Sequence, residues 1–205
     1  MTKMNEEQDY QRLDNQISQI ITRLEKIESQ LEKVIDFSDR IEKIEDNLLL
    51  VADINRYAQL RDYLAAGRWF DADIETINII MAISGHSKLE ELKPTDIEIF
   101  PGNALRVIDN LWLKYSEGKF GFSVQLKIYK SVGGHLEATI AQDQDFVDKW
   151  GEKVGWRVNK KWRKCEDLDF SLNAPTGCHP SQWWNSPYGS KMTNYFLARL
   201  MRCGF

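Results

Sequence analysis

Residues 157–164 place an indole among several cations, a composition that suits an anionic ligand. Trp162 is accompanied by five basic residues, Arg157, Lys160, Lys161, Arg163 and Lys164. Cations beside an aromatic face favour an anionic aromatic ligand, through cation–π contacts and charge-assisted hydrogen bonds. A solvated basic loop with Trp162 tucked into the core is the simpler alternative. The pattern therefore indicates binding rather than bond-making chemistry.

The remaining polar residues do not assemble a recognisable catalytic site. The sequence has no Ser, His and Asp in a nucleophile context, no metal-ligand cluster and no phosphate-binding glycine loop. Asp71 and Asp73 fall at the start of a predicted helix, where stabilisation of the helix N-terminus is a simpler explanation than catalysis. Three histidines are candidate ligands for a chelated metal, with His179 ahead of His86 and His135. We therefore do not expect an enzyme.

The cysteines and the hydropathy pattern predict a reducing compartment. Cys165, Cys178 and Cys203 are odd in number and lack CxxC spacing, so we expect free thiols. The chain shows neither a secretory leader nor a run of roughly 18–20 apolar residues that could span a bilayer. The predicted location is the cytoplasm.

The charge is distributed unevenly along the chain. Residues 1–50 carry 7 basic against 12 acidic residues, and residues 149–205 carry 10 against 4. An anionic ligand or partner is therefore expected at the C-terminal part. This basic, Trp-rich end could also bind single-stranded nucleic acid. Since no nucleic-acid motif supports that reading, we expect no nucleic-acid partner.

The first fifty residues predict a coiled coil. Apolar residues alternate at spacings of three and four, which is a heptad seam, at Tyr10, Leu13, Ile17, Ile20, Leu24, Ile27, Leu31 and Val34. Leu at position a with Ile at position d favours a trimer or tetramer over a dimer. After Val34 the frame continues through Phe37, Ile41, Ile44, Leu48 and Val51 with one stammer. An amphipathic helix packed on the rest of the chain is the alternative.

These patterns predict an all-α protein with a coiled-coil segment at 1–51 and a compact helical domain at 52–205. Apolar periodicity predicts helices ending at Gly67 and at Gly85, one capped by Asn103, one near 143–150 and one through 192–201. We expect residues 86–103 to form a long ordered loop. The apolar residues from Phe120 to Ile128 alternate, which fits a strand, but some of them also have the 3–4 spacing of a helix. Periodicity alone therefore does not decide between strand and helix for this segment.

Five ordered blocks resemble the Genomes-Uncoupled-Four family, the tetrapyrrole-binding regulators of magnesium chelatase. The most specific is LWLKYSEGKFGFSVQ at residues 111–125. The others are LRDYLAAGRWFDADIET (60–76), FPGNALRVIDNLW (100–112), VGW (154–156) and LDFSLNAPTGCHP (168–180). The resemblance implies an all-helical fold, and therefore a helix rather than a strand after Phe120.

The resemblance also implies an apolar concavity under two loops, here 86–99 and 157–170, that holds a porphyrin, a magnesium porphyrin or a bilin without a covalent bond. The implied ligand-binding residues are Leu89, Leu92, Ile97, Phe120, Phe122, Gln125, Trp162, Lys164, Leu168 and Phe170. Core packing is the competing role for Phe120 and Phe122. A thioether from Cys165 or Cys178 to a bilin is a covalent variant, and an inert buried thiol is the favoured alternative.

The sequence departs from the family in three places. Gly177-Cys178-His179-Pro180 stands where the family has Gly-His-Leu-Pro. Porphyrin-binding members of the family have arginines shortly after this motif, and this chain has none at the matching spacing. The predicted coiled coil stands in place of the family's usual N-terminal helical bundle. Two functions therefore remain open. One is an oligomeric tetrapyrrole-binding regulator or sensor with a chelatase subunit or signalling partner. The other is a ligand-free scaffold whose segment SQWWNSPYGSK (181–191) faces a partner.

Overall fold

The computed structural model of the chain describes residues 20, 21, 23–31, 33, 34, 37 and 55–205. The chain divides into two units, Met1–Asp53 and Ile54–Phe205. In the first unit the described residues are helical, and the seam side chains Ile20, Leu24, Ile27, Leu31 and Val34 are each more than half exposed. The seam positions before residue 20 and after residue 37 lie outside the described residues. Pairing of this seam with other chains stays a prediction.

The described part of the second unit is built mainly of helices, as predicted. They are α1 (residues 55–65), α2 (Trp69–Ile83), α3 (Pro94–Glu98), α4 (Gly102–Tyr115), α5 (Phe122–Ser131), α6 (Leu136–Ile140), α7 (Gln144–Lys153) and α8 (Ser190–Arg202). Two short strands, β1 (Arg157–Val158) and β2 (Lys161–Trp162), form an antiparallel hairpin. Single 3-10 turns occupy Leu89–Glu91, Cys165–Asp167 and Gln182–Asn185. Among the described helices, none is long and apolar enough to cross a membrane.

The helices enclose an aromatic core. Every third or fourth residue of each longer helix faces inward, for example Trp69, Ala72, Thr76 and Ile80 along α2. The largest fully buried side chains include Trp112, Trp150, Trp156 and Trp183. Helix α8 packs against both α3 and α6, so the last helix helps to hold the segment after α2.

The segment after Phe120 is a helix, as the family resemblance implied. Helix α5 begins at Phe122, and its buried residues Phe122, Gln125, Leu126 and Tyr129 follow the 3–4 spacing rather than the alternation. The turn before it requires glycine, because Gly121 has φ +141° and a Cβ there would lie 2.6 Å from Asp109 Oδ1. The same Asp109 oxygen accepts a hydrogen bond from the Ser123 backbone N–H at 2.9 Å, which caps the new helix.

Two local expectations were wrong. Residues 86–103 were expected to lack regular structure, but they contain the turn at 89–91 and helix α3, which Pro94 begins at a position where no backbone donor is needed. Asn103 was expected to cap α4, whereas α4 already begins at Gly102 and Asn103 Oδ1 accepts from the N–H of Ala104. Polar composition suggested a loop, but Ile97 and Phe100 supply the buried contacts that order it.

Candidate functional site

The basic loop at 157–170 begins with the β hairpin, which is fixed to α7. Arg157 forms ion pairs with Asp148 at 2.7 Å and with Glu152 at 2.5 Å. The half-buried ring of Trp162 stacks on Trp184 with centroids 4.2 Å apart. Gly151 makes this possible, because a Cβ there would approach the Trp162 ring to 2.3 Å. The indole is therefore held in one place with part of its surface exposed.

Four cations of this loop have no acidic partner among the residues that the structure describes. Within the described residues no ion pair involves Lys160, Lys161, Arg163 or Lys164, and Lys164 is exposed. Asn159 and Lys160 turn the hairpin with φ of +50° and +62°. The predicted contact Lys164 is thus available to an anion, although its role as a ligand contact stays a prediction.

The end of the same loop lies against α2. The Phe170 ring stacks on His179 with centroids 4.7 Å apart and meets the Phe70 ring edge-on at 4.9 Å. Phe70 and Ile74, one turn apart on α2, are 44% and 36% exposed. We call Phe70, Ile74 and Phe170 the α2 apolar surface. The sequence pattern did not single out Phe70, because the 3–4 spacing of α2 fits this residue nearly as well as it fits its inward neighbours.

The first loop, residues 86–99, is held against α8. Leu92 and Ile97 are buried and Leu89 is half-buried, and all three pack into the core. Arg202 pairs with Glu98 at 3.0 Å, and Arg199 Nε donates to the carbonyl of Phe100 at 2.8 Å. The structure therefore places these predicted contacts on the inner side of the loop.

Three other predicted contacts are fully buried supports. Phe120 meets the His179 ring at 5.1 Å, and Phe122 meets Phe196 at 5.0 Å. Gln125 Nε2 donates to the carbonyls of Gly177 and Pro180, at 3.0 and 2.8 Å. Leu168, at the other end of the basic loop, is also buried. Direct contact between these side chains and a ligand would require movement, so that role stays a prediction.

The predicted contacts fall into separate groups. Phe120 and Phe170 share the ring of His179, while Trp162 lies with Trp184 and Gly151. No hydrogen bond, ion pair or ring contact between described residues joins 86–99 to 157–170. Among the described residues, the structure thus joins the basic loop to its supports, while the apolar side chains of both loops pack against one hydrophobic core.

A buried polar cluster lies beneath these aromatic residues and centres on Asp73. Its Oδ1 accepts the backbone N–H of Ser181 at 2.7 Å and that of Gln182 at 3.1 Å. Its Oδ2 accepts the Ser181 hydroxyl at 2.5 Å and lies 3.3 Å from His179 Nδ1. His179 Nε2 lies 2.8 Å from the carbonyl of Asp169. The expectation that Asp73 caps α2 was wrong, because its carboxylate contacts His179, Ser181 and Gln182, all more than 100 positions further along the chain.

This cluster is not a catalytic triad. Ser181 and His179 both face Asp73 rather than each other, and all three side chains are fully buried. Burial lowers the pKa of His179, but its hydrogen bonds to Asp73 and Cys178 and the nearby negative charge outweigh this effect and raise the pKa to about 10. The cluster is a buried ion pair that joins α2 to the segment after Cys178.

Comparison with known proteins assigns this architecture. The sequence model of the GUN4-like family matches residues 51–197, which is well over half of the chain. The chain belongs to the GUN4-like family. The resemblance to Genomes-Uncoupled-Four proteins found in the motifs is thereby confirmed.

The GUN4-like relatives are distant. A Ycf53-like protein of Synechocystis sp. is 29% identical over 127 residues, covering 60% of this chain and 50% of that protein. The chloroplastic tetrapyrrole-binding protein of Arabidopsis thaliana is 35% identical over 75 residues, covering 36% of this chain and 28% of that protein. The ligand-free structure of Arabidopsis thaliana GUN4 superposes with a TM-score of 0.54 at 25% identity, covering 68% of this chain and 93% of that one. The chain spans half or less of the length of these curated relatives.

The cysteines of this GUN4-like domain are free thiols in sheltered places. Cys165 and Cys178 are both buried, and Cys203 is half-buried. Burial, together with the nearby charge of Asp73, raises the pKa of the Cys165 thiol. Its Sγ donates to the carbonyl of Ser181 at 3.3 Å. A protonated, buried thiol is a poor nucleophile.

In the described part of the GUN4-like domain, no cluster of side chains forms a preformed metal centre. Within residues 55–205 no three His, Cys, Asp or Glu side chains cluster as metal ligands. One cavity of about 240 Å³ lies beside Phe100, and another of about 130 Å³ lies between α3, α6 and α8. Both are smaller than the roughly 300–1,000 Å³ typical of sites for drug-sized ligands. A macrocycle would not fit inside either of these two cavities.

Proposed function

We propose that this GUN4-like chain binds a tetrapyrrole without a covalent bond and acts as a regulator or sensor in tetrapyrrole metabolism or signalling. The observation that carries the proposal is the basic loop, where a half-buried indole is fixed beside four cations that pair with no acidic side chain in the described part of the chain. A tetrapyrrole is a flat apolar ring with carboxylate side chains, and it needs an aromatic face and cations at its edge. The residues present fit that requirement.

The chain's own residues would hold the ring in two ways. Trp162 offers a face for stacking, with Lys160, Lys161 and Lys164 within the same loop for the carboxylates. The α2 apolar surface offers further exposed area. Burying about 400 Å² of ring at about 25 cal/mol/Å² gives roughly 10 kcal/mol before association and loop ordering are subtracted. Micromolar binding is therefore the expected scale.

The proposal is for reversible binding of a porphyrin, a magnesium porphyrin or a bilin. Burial of Cys165 and Cys178 supports non-covalent over thioether binding, since a thioether needs an accessible thiolate. A denaturing gel after incubation with a bilin provides the check. Zinc-enhanced fluorescence that migrates with the protein band would contradict this part of the proposal.

A titration tests the proposed function. Deuteroporphyrin, its magnesium complex and a bilin are each added to the full chain while tryptophan emission and the Soret or Q bands are followed. Saturable quenching that survives moderate salt supports the proposal. No quenching with any of the three compounds contradicts it.

A ligand-free interaction module is the second candidate function. It is favoured by the burial of Leu92, Ile97, Phe120 and Phe122, and by the small size of both cavities. The partner-facing patch first expected at 181–191 is reduced in this structure, because Trp183 is 2% exposed and Trp184 lies against Trp162. The α2 apolar surface would replace it as the contact with a partner.

We further propose that the heptad seam of the first unit joins three or four copies of the chain. Five seam side chains between Ile20 and Val34 are more than half exposed, and such a stripe is a costly surface for a lone helix. A chelatase subunit or another signalling protein is the proposed external partner. Nucleic acid is not a proposed partner, and cytoplasmic location stays a prediction.

A further inference from the structure

A cavity of about 240 Å³ lies where helix α2 ends, and its lining includes neither Trp162 nor the α2 apolar surface. The residues that line it are Ile83, Ser84, Asp96, Ile99, Phe100 and Pro101. At roughly 30 Å³ for each water, this volume corresponds to about eight waters. The cavity can therefore hold a short aliphatic chain with one polar end.

Asp96 supplies the charged group of this cavity. Its side chain is 27% exposed, so a ligand in the cavity can reach the carboxylate. The Oδ2 atom lies 2.8 Å from His86 Nε2 and accepts the backbone N–H of Lys93, also at 2.8 Å. Within the described residues the Oδ1 atom accepts no hydrogen bond. One carboxylate oxygen is thus open to a donor.

The other polar atoms at the cavity are mainly acceptors. The backbone N–H groups of Ser84, Asp96 and Phe100 already donate to carbonyls of the chain, and Pro101 has no N–H. The carbonyls of Ile83 and Ser84 accept no hydrogen bond from a described residue. They belong to the C-terminal end of α2, which carries partial negative charge. An anion here would face like charge, whereas an ammonium group would face acceptors.

The rest of the lining is apolar and consists of Ile83, Ile99, Phe100 and Pro101. Ile99 is 78% exposed, so an aliphatic stem that covers it removes apolar surface from water. Two arginines of α8 that contact this part of the chain bind other groups. Arg199 Nε donates to the carbonyl of Phe100 at 2.8 Å, and Arg202 pairs with Glu98 at 3.0 Å. The carboxylate of Asp96 is therefore left for a ligand.

We propose that this cavity binds a primary aliphatic ammonium group. The ammonium donates to Asp96 Oδ1 and to the carbonyls of Ile83 and Ser84, and its methylene stem covers Ile99. A free alkylamine and a lysine side chain of another polypeptide share this chemistry. The site does not depend on tetrapyrrole binding.

n-Butylammonium is the probe, and the full chain, deuterated and labelled with 15N, is followed by NMR. Saturable shifts confined to the lining residues and their neighbours are expected. n-Butanol has the same stem without the charge, so it should bind at least about tenfold more weakly. Methylammonium keeps the charge but lacks most of the stem, so it should also bind about tenfold more weakly.

Nα-acetyl-lysine methylamide separates the two sources of the ammonium group. It carries the same ammonium and stem as n-butylammonium, together with peptide groups. Tighter binding than n-butylammonium indicates the lysine side chain of a polypeptide. Equal or weaker binding indicates a free amine.

Asp96→Asn tests the charge of the cavity. The amide keeps an oxygen that can accept the Lys93 N–H, so the start of α3 should persist. Binding of n-butylammonium should become at least about tenfold weaker. Glu90→Gln is the matched control, because it removes an exposed carboxylate of the same loop that does not line the cavity. It should change the dissociation constant less than about twofold.

Ile99→Ser tests the stem from an exposed position, and it decides the matter if Asp96→Asn fails to fold. It should weaken n-butylammonium a few-fold and leave methylammonium unchanged. Ile140→Ser makes the same change at an exposed position outside this cavity and should affect neither amine. Equal binding of n-butanol and n-butylammonium, or unchanged n-butylammonium binding in either cavity variant, would overturn the proposal.

Discussion

The carboxylate of Asp73 accepts both the backbone N–H and the hydroxyl of Ser181, although the two residues are 108 positions apart in the chain. This pair ties α2 to the segment that carries His179 and Trp183. The same segment supports Phe170 and, through Trp184, the half-buried indole of Trp162. A buried structural contact thus positions the side chains that we assign to ligand binding.

Replacing Asp73 should destabilise the domain strongly. Asp73→Asn keeps the shape but removes the charge that partners His179, so the free energy of unfolding should fall by roughly 3–5 kcal/mol. Asp71→Asn is the matched control, because Asp71 lies on the same helix in an exposed pair with Arg68 at 2.8 Å and should lose less than about 1 kcal/mol. Urea denaturation followed by tryptophan emission measures both. Equal losses would contradict the assigned role.

The stability of the domain should decrease in alkaline solution because of His179. Its pKa is raised from 6.5 to about 10 in the folded protein, since the pairing with Asp73 outweighs the effect of burial. Between pH 6.5 and about pH 10, the folded state therefore keeps a proton on His179 that the unfolded state has released. The contribution to stability is complete below pH 6.5 and is lost as the pH rises through about 10. The urea midpoint of the wild type should fall across this interval, and a His179→Gln variant should show a flatter profile.

Removing the half-buried indole of Trp162 should weaken the proposed tetrapyrrole binding. Trp162→Ala removes the stacking face, so the dissociation constant for deuteroporphyrin should rise at least about tenfold, as expected for the loss of one aromatic contact. Trp69→Phe alters a buried ring away from the basic loop, so this variant should change the dissociation constant less than about threefold. Fluorescence titration measures both. A larger rise of the dissociation constant in Trp69→Phe than in Trp162→Ala would contradict binding at Trp162.

The cations of the basic loop should act through the ligand's charge. Lys164→Gln should weaken deuteroporphyrin binding by a few-fold at low salt, and the difference from wild type should shrink as salt increases. Lys153→Gln changes an exposed lysine of α7 outside the loop and should have little effect. The dissociation constants are compared at two salt concentrations. Equal dissociation constants of the two variants at both salt concentrations would contradict a role of Lys164 in binding.

The heptad seam should control the mass of the assembled protein. Leu24→Glu places a charge at a seam position and should shift the full chain toward monomer in sedimentation equilibrium. Ser29→Glu adds the same charge at an exposed position off the seam, so it should leave the mass unchanged. A monomeric wild-type chain would refute the proposed oligomer.

The motif LWLKYSEGKFGFSVQ identified the family, but the structure assigns its aromatic residues to the core. Trp112 and Phe120 pack around His179, while Phe122 meets Phe196. Such a motif shows which residues must fit together. It does not show which of them face a ligand, because burial depends on segments that approach from far away in the chain.

Local patterns of the sequence predicted helices α1, α2, α4, α7 and α8 and the heptad seam, because these features depend on residues three and four positions apart. They also placed a tryptophan among cations in the basic loop. Only the tertiary structure revealed that Asp73 binds Ser181, that Phe70 meets Phe170, and that Asp96 lines a cavity at the end of α2. These contacts join residues far apart in sequence or depend on the packing of two helices, and no periodic pattern encodes such contacts.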